Sequence, residues 1–347
     1  MAELTQKSHN LIRATHKSVS RSVRGHEGYE VRQRSIRIAL VNNMPDAALE
    51  DTELQFCDLL EAARGEMPLQ VSLFSLPEVP RGARGKRRVA EFYSDIEELW
   101  SSQFDALIVT GTEPRQPNMK EEPYWQTFTR VVDWAAENTP STVLSCLAAH
   151  AGVLYSDGIS RHRLPDKQFG VFEYHIADHA LTKGADRKIR IPHSRWNEVK
   201  KDALVAHGYE VLTSSTESGA DLFVKKRNQC LFVHFQGHPE YGSRTLLKEY
   251  RRDVKRYIRG ERETYPTMPK GYFDADAARI LAKFQEKVLA HRHETLIREF
   301  PEAVVAESLE HTWRAPAVCL YSNWLRYVAS RKANAAELAP IARVGRV

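Results

Sequence analysis

Three side chains in this sequence have the types and the order that covalent acyl chemistry requires: Cys146, His238 and Glu240. Cys146 closes the apolar run STVLS and opens the small-residue run LAAHAGVLY, so its thiol falls on a tight strand-to-helix turn at a helix N-terminus. The helix dipole and unpaired N–H groups at such a place favour the reactive thiolate. The backbone N–H of Leu147 is in position to hold an oxyanion. A cysteine after a strand is, by itself, more often a small buried hydrophobe. The later segment GHPEYG shifts that balance. Its histidine and glutamate flank Pro239, which must set a turn through which Glu240 reaches the far ring nitrogen of His238. Nucleophile, base and tautomer-fixing carboxylate then form a relay.

The elements that must position these residues follow from the hydropathy pattern. SIRIALVNN reads as a buried parallel strand, and MPDAALEDTELQFCDLLEAARG as a helix stopped at Gly65. LQVSLFSL is a second strand, PRGARGKRR a basic loop, and VAEFYSDIEELWSS one helix. FDALIVTGTEP is a strand running into a glycine turn, followed by the helix YWQTFTRVVDWAAEN and the strand that ends at Cys146. This alternation predicts a parallel, doubly wound sheet whose ligands gather at the strand C-termini. The ends NNMP, TGTEP and Cys146 should therefore line one crevice. IRIPHSRW and YEVLTSS read as further strands, and ADLFVKKRNQCLFVHFQGHPEYG as a hairpin turning near Lys226 to Asn228 that delivers His238 to a strand end. Three regions are expected: a basic N-terminal arm over 1–34, a catalytic domain over 35–260, and a C-terminal helical extension over 261–347 that begins with the linker ETYPTMPKGYFD.

Composition narrows the field. The 347 residues are 42% hydrophobic, enough for one large core. A net charge of +5 is small over such a surface, so nucleic acid is not implied. The four cysteines lie far apart with no CxxC pair, which predicts neither a disulfide framework nor a metal site and fits a reducing compartment. No signal-peptide core and no stretch of about 18 apolar residues is seen, so a soluble cytoplasmic protein with no membrane partner is expected.

Beyond the trio, the quoted stretches carry a family resemblance. MP with the following Thr52, Glu53 and Gln55, FDALIVTG, Tyr124–Trp125, the Cys146 strand, YSDGI, FGVFE, PHSR, GHPEY with its downstream RD, and SNWL run from about residue 36 to 326. Through them the chain resembles the homoserine O-acyltransferases of methionine biosynthesis, the family containing homoserine O-succinyltransferase and its acetyl-transferring relatives. The resemblance implies a class I glutamine amidotransferase-like (flavodoxin-like) α/β fold, a parallel sheet sandwiched by helices. It also implies a ping-pong reaction in which Cys146 takes an acyl group from succinyl-CoA or acetyl-CoA and passes it to the hydroxyl of L-homoserine. No cofactor beyond the acyl-CoA substrate is expected, and family members are dimeric, so a homodimer is expected. His238 would be the base and Glu240 its partner. Lys167, Ser194 and Arg252 fall on the family's substrate-binding positions; the competing readings are a solvated loop lysine for Lys167 and a turn hydroxyl for Ser194, and Arg251 competes with Arg252 on spacing alone.

The sequence departs from the family in several places. Leu147 and His150 stand where a tryptophan and a glutamine are common, and MPDAALED lacks the lysine that follows the family's MP. Acyl choice in the family is tied to the loop after TG, where a small residue accompanies succinyl transfer and a glutamate accompanies acetyl transfer. An ungapped count puts Arg115 there, with Glu113 two places earlier. An arginine would attract a succinyl carboxylate, which favours the succinyl donor. A serine acceptor, a glutamine amidotransferase and a non-catalytic protein of the same fold remain the competing readings. The amidotransferases generally place glycines on both sides of the nucleophile, and Ser145 and Leu147 replace them here.

Overall fold

The computed structural model describes residues 35–338, with side chains through residue 334. The expected arm over 1–34 lies outside the described residues. In chain order the strands are β1 (Ile36–Val41), β2 (Leu69–Phe74), β3 (Ala106–Val109), β4 (Ser141–Ser145), β5 (His162–Ile176), β6 (Lys188–Glu198), β7 (Glu210–Val211), β8 (Thr213–Ser215), β9 (Gly219–Ala220), β10 (Leu222–Arg227) and β11 (Cys230–Phe235). The helices are α1 (Asp46–Ala63), α2 (Ala83–Phe92), α3 (Ile96–Ser101), α4 (Trp125–Asn138), α5 (Leu147–Asp157), α6 (Lys201–Ala206), α7 (Thr245–Ile258), α8 (Ala275–Ala290), α9 (Glu302–Glu307) and α10 (Arg314–Leu338).

Seven strands form the central sheet in the order β2-β1-β3-β4-β11-β10-β7, and β2, β1, β3, β4 and β11 run parallel to one another. The period of two along β1 explains the layers. Ile36, Ile38 and Leu40 pack with α1 and α10 on one face, whereas Ala39 and Val41 pack with α3, α4 and α5 on the other. Each fully buried Leu or Ile in these layers stabilises the fold by about 1.5–3 kcal/mol. The SNWL segment lies in α10, where the Trp324 indole donates to Ser141 Oγ at 2.9 Å and that hydroxyl donates to Leu231 O at 2.7 Å. The helix is thereby pinned across the β4–β11 seam.

A second, antiparallel sheet, β6-β5-β8-β9, joins the core layer of α1 and α10 through Phe172, Tyr174, Ile189 and Ile191. Its long β5 lies over a segment for which the hydropathy pattern predicts no strand, so Lys167 is a strand residue and not a loop lysine. YEVLTSS, expected as one strand, divides at Leu212 between β7 of the central sheet and β8 of this one. The basic loop PRGARGKRR is largely helix α2, because the Asp46 carboxylate accepts the N–H groups of Gly82 at 2.8 Å and Gly85 at 3.2 Å and so caps it from afar. The single helix expected after that loop is two, α2 and α3, and Asp95 starts the second by accepting the Glu97 N–H at 3.0 Å. The linker expected after Gly260 is packed rather than free: Tyr272 is buried, and Lys270 bridges β5 at Gly170. No helix among the described residues is long and apolar enough to cross a membrane.

Candidate active site

Cys146 and His238 meet because β4 and β11 are neighbours in register, Ser145 beside Phe235. The Cys146 N–H donates to Phe235 O at 2.7 Å, and the carbonyl of Cys146 begins helix α5 by accepting from Ala149 at 3.0 Å. Between strand and helix Cys146 takes φ 53° and ψ −114°, a conformation that non-glycine residues rarely adopt. Strain of this kind costs on the order of 1–3 kcal/mol and recurs where a side chain must be presented rather than buried. Cys146 is partly exposed, whereas Ser145 and Leu147 on either side are buried.

His238 follows β11 by three residues, and its N–H donates to Pro192 O at 2.9 Å on β6. Its Nδ1 lies 2.8 Å from Glu240 Oε1, the turn at Pro239 having brought the two together as the sequence requires. Both side chains are buried. Burial alone would lower the His238 pKa, but the nearby Cys146 sulfur and the Glu240 carboxylate raise it well above the ordinary value. The raised pKa favours a protonated imidazole, whose cation the Glu240 carboxylate stabilises.

The three marked strand ends do converge. The Asn43 N–H donates to Thr110 Oγ1 at 2.8 Å, joining NNMP to the TG turn. A Cβ on Gly111 would lie 2.9 Å from Leu147 N, so only glycine lets the β3 turn approach the start of α5 this closely. As the first residue of the helix, Leu147 has no intrahelical partner for its N–H, which leaves that donor available beside Cys146.

Lys167, Ser194 and Arg252 also come together, around two acids the sequence reading missed. Lys167 Nζ lies 3.6 Å from Glu249 and 3.4 Å from Asp253, Ser194 Oγ donates to Glu249, and Arg252 reaches Glu249 at 3.7 Å and Asp253 at 2.9 Å. Burial would raise the Asp253 pKa, but Lys167 and Arg252 hold it below the usual carboxylate range. Arg251 instead pairs with Glu302 on α9, so of the two arginines it is Arg252 that joins the cluster. The signal in the sequence is the spacing of Glu249 and Asp253, four apart on α7 and hence on one face.

Tyr241, also unassigned from sequence, links the two groups. Its ring stacks on His238 with centroids 4.1 Å apart, and its hydroxyl donates to Glu249 Oε1 at 2.8 Å. Glu113 and Arg115 are exposed on the loop after β3, which Glu122 holds by accepting the N–H groups of Arg115 at 2.6 Å and Gln116 at 2.8 Å. His150 is a buried neutral histidine: its Nε2 meets Gln236 Oε1 at 2.9 Å, and burial, aided by the charge of Arg195, lowers its pKa to about 3. Among the described residues, no three His, Cys, Asp or Glu side chains converge as a metal site would need.

A layered α/β fold with a strained cysteine between strand and helix, and a His–Glu pair at the end of the adjacent strand, defines a class I glutamine amidotransferase-like architecture. Within it, the chain belongs to the homoserine O-succinyltransferase family, whose model matches residues 7–335. The homoserine O-succinyltransferase of Rhodopseudomonas palustris is 44% identical over 298 residues, covering 86% of this chain and 89% of that protein. That of Bradyrhizobium japonicum is 42% identical over 296 residues, covering 85% and 90%. Both are acyltransferases by name, and this chain is an enzyme of that kind. Among solved structures, a glutamine amidotransferase from Thermotoga maritima is similar at 12% identity and a TM-score of 0.46, over 84% of this chain and 98% of that one.

Proposed function

We propose that the protein transfers the succinyl group of succinyl-CoA to the hydroxyl of L-homoserine through a thioester on Cys146, giving O-succinylhomoserine for methionine biosynthesis. The observation that carries this reading is the partly exposed, conformationally strained Cys146, brought by adjacent strand ends beside an imidazole that Glu240 fixes from behind. In the first half-reaction the sulfur of Cys146 attacks the thioester carbonyl and the oxyanion develops beside the Leu147 N–H. The C–S bond to CoA breaks, and His238 gives its proton to the departing CoA sulfur. In the second, His238 takes the proton of the acceptor hydroxyl as that oxygen attacks the acyl-enzyme. The bond to Cys146 then breaks, and the proton returns to the Cys146–His238 pair.

The Lys167, Ser194 and Arg252 cluster suits an amino-acid acceptor. Its cations and hydroxyl match a carboxylate, and Glu249 matches an ammonium group. The links from Glu249 through Tyr241 to His238 support this reading, since an acceptor held there would have its hydroxyl near the base.

Incubation with succinyl-CoA alone tests the reading by intact-mass measurement. A succinyl adduct should form on the wild-type protein, disappear when L-homoserine is added, and be absent from Cys146→Ala. An adduct that persists in Cys146→Ala, or one that L-serine discharges and L-homoserine does not, would sink it.

A further inference from the structure

Arg161 has no part in the arrangement described so far, yet it is folded against it. It lies between the Gly158 cap that ends α5 and the start of β5. The Ile159 N–H returns to Val153 O at 3.2 Å, closing the turn that ends α5. The next residue, His162, pairs in register with Glu198. Val199, beside Glu198, donates its N–H to Gln236 Oε1 at 2.7 Å, and the same oxygen lies 2.9 Å from His150 Nε2, one turn beyond the nucleophile. Glu122, Tyr124 and Cys146 are near enough to favour the charge of the Arg161 guanidinium, Arg163 opposes it, and that charge in turn helps keep His150 neutral.

That guanidinium is half-buried, and among the described residues it takes part in no hydrogen bond or ion pair. Its neighbour Arg163 differs in lying over the Trp196 ring at 4.3 Å. Glu122, the acid that acts on Arg161, spends Oε1 on the loop N–H groups of Arg115 and Gln116, and its Oε2 is buried without a partner. Removing a guanidinium partly from water without pairing it costs free energy, and an arriving anion would recover that cost. A succinyl group on Cys146 carries such an anion, a carboxylate two methylene groups beyond the thioester carbonyl.

Resting on the succinyl reading above, we propose that Arg161 binds the distal carboxylate of the succinyl group and so sets donor choice. The planar fork of an arginine matches a carboxylate with two parallel hydrogen bonds. An acetyl group offers nothing to it and leaves the half-buried cation unpaired, which penalises the shorter donor. Arg115 is the weaker candidate for this role, because a carboxylate paired with an exposed arginine stays in water and gains little.

The test is kcat/KM for succinyl-CoA and for acetyl-CoA, with L-homoserine as acceptor, in wild type, Arg161→Gln and Arg161→Lys. The succinyl-to-acetyl ratio should fall about 10- to 100-fold in Arg161→Gln and by a smaller factor in Arg161→Lys, which keeps the charge but loses the fork. A ratio in Arg161→Gln within about twofold of wild type, or an equal fall with both donors, overturns the assignment. If Arg161→Gln does not fold, Arg161→Lys decides alone, and an unchanged ratio there overturns it. Wild-type enzyme that uses acetyl-CoA and not succinyl-CoA would instead break the donor reading itself, before any variant is compared.

Discussion

Cys146 and His238 stand at the ends of two hydrogen-bonded parallel strands, whereas Lys167, Ser194 and Arg252 come from β5, β6 and α7 and meet around Glu249 and Asp253. In the first region the backbone ladder sets the geometry, and the side chains inherit it. In the second, charges far apart in the chain set it, and they must be desolvated and paired at once. The first kind of site tolerates change in its surroundings but not in its reagents. On the function proposed above, the second tolerates loss of one member and loses grip rather than chemistry.

This contrast can be broken by experiment. Glu240→Gln, which leaves the strand ends intact but releases the His238 ring, should lower kcat about 100-fold or more with little change in either KM. A change confined to KM would mean that Glu240 is only structural. Arg252→Leu should have the opposite signature, raising KM for L-homoserine by about 10- to 100-fold and slowing discharge of the acyl-enzyme far more than its formation. Equal slowing of both half-reactions, read by CoA release with and without acceptor, would place Arg252 with the chemistry rather than with the acceptor.

Acid should separate the two regions more gently. Burial holds His150 and His234, both close to the strand ends, down at about 3 from an ordinary 6.5. Between these values the unfolded chain binds protons that the native state does not, so stability present above about pH 6.5 is lost as pH falls towards 3. The slope is about 1.4 kcal/mol per pH unit for each histidine. Asp253, held below its ordinary 3.8, ceases to contribute only under more acid conditions. Denaturant midpoints measured across this range should fall less steeply in His234→Phe, and an unchanged slope would show that His234 is not the titrating group.

The same contrast explains what could be read from the sequence. Parallel strands, buried on both faces, are continuous apolar runs, and their ends are marked by Asn43, Gly111 and Cys146, so the convergence of Cys146, His238 and Glu240 at one crevice was legible. β5 was not, because HRLPDKQ carries no apolar alternation, and β6 pairs with it only at His162 and Arg163 and again from Gln168, with an irregularity between. Helix α2 was hidden for a related reason, since its cap, Asp46, lies about forty residues earlier and a short-range rule sees only the glycines. Glu249 and Asp253 were passed over in a helix whose charges look solvated until Lys167 arrives from another sheet.

The backbone at Cys146 has one more implication, for what selection on stability alone would do. A residue at φ 53° and ψ −114° occupies territory suited to glycine, so Cys146→Gly should relieve strain and yield an inactive protein that is more stable by about 1 kcal/mol, read as a higher melting temperature. Robustness and reactivity pull this position towards different residues. A cysteine there marks a site where the chain has kept the less comfortable one.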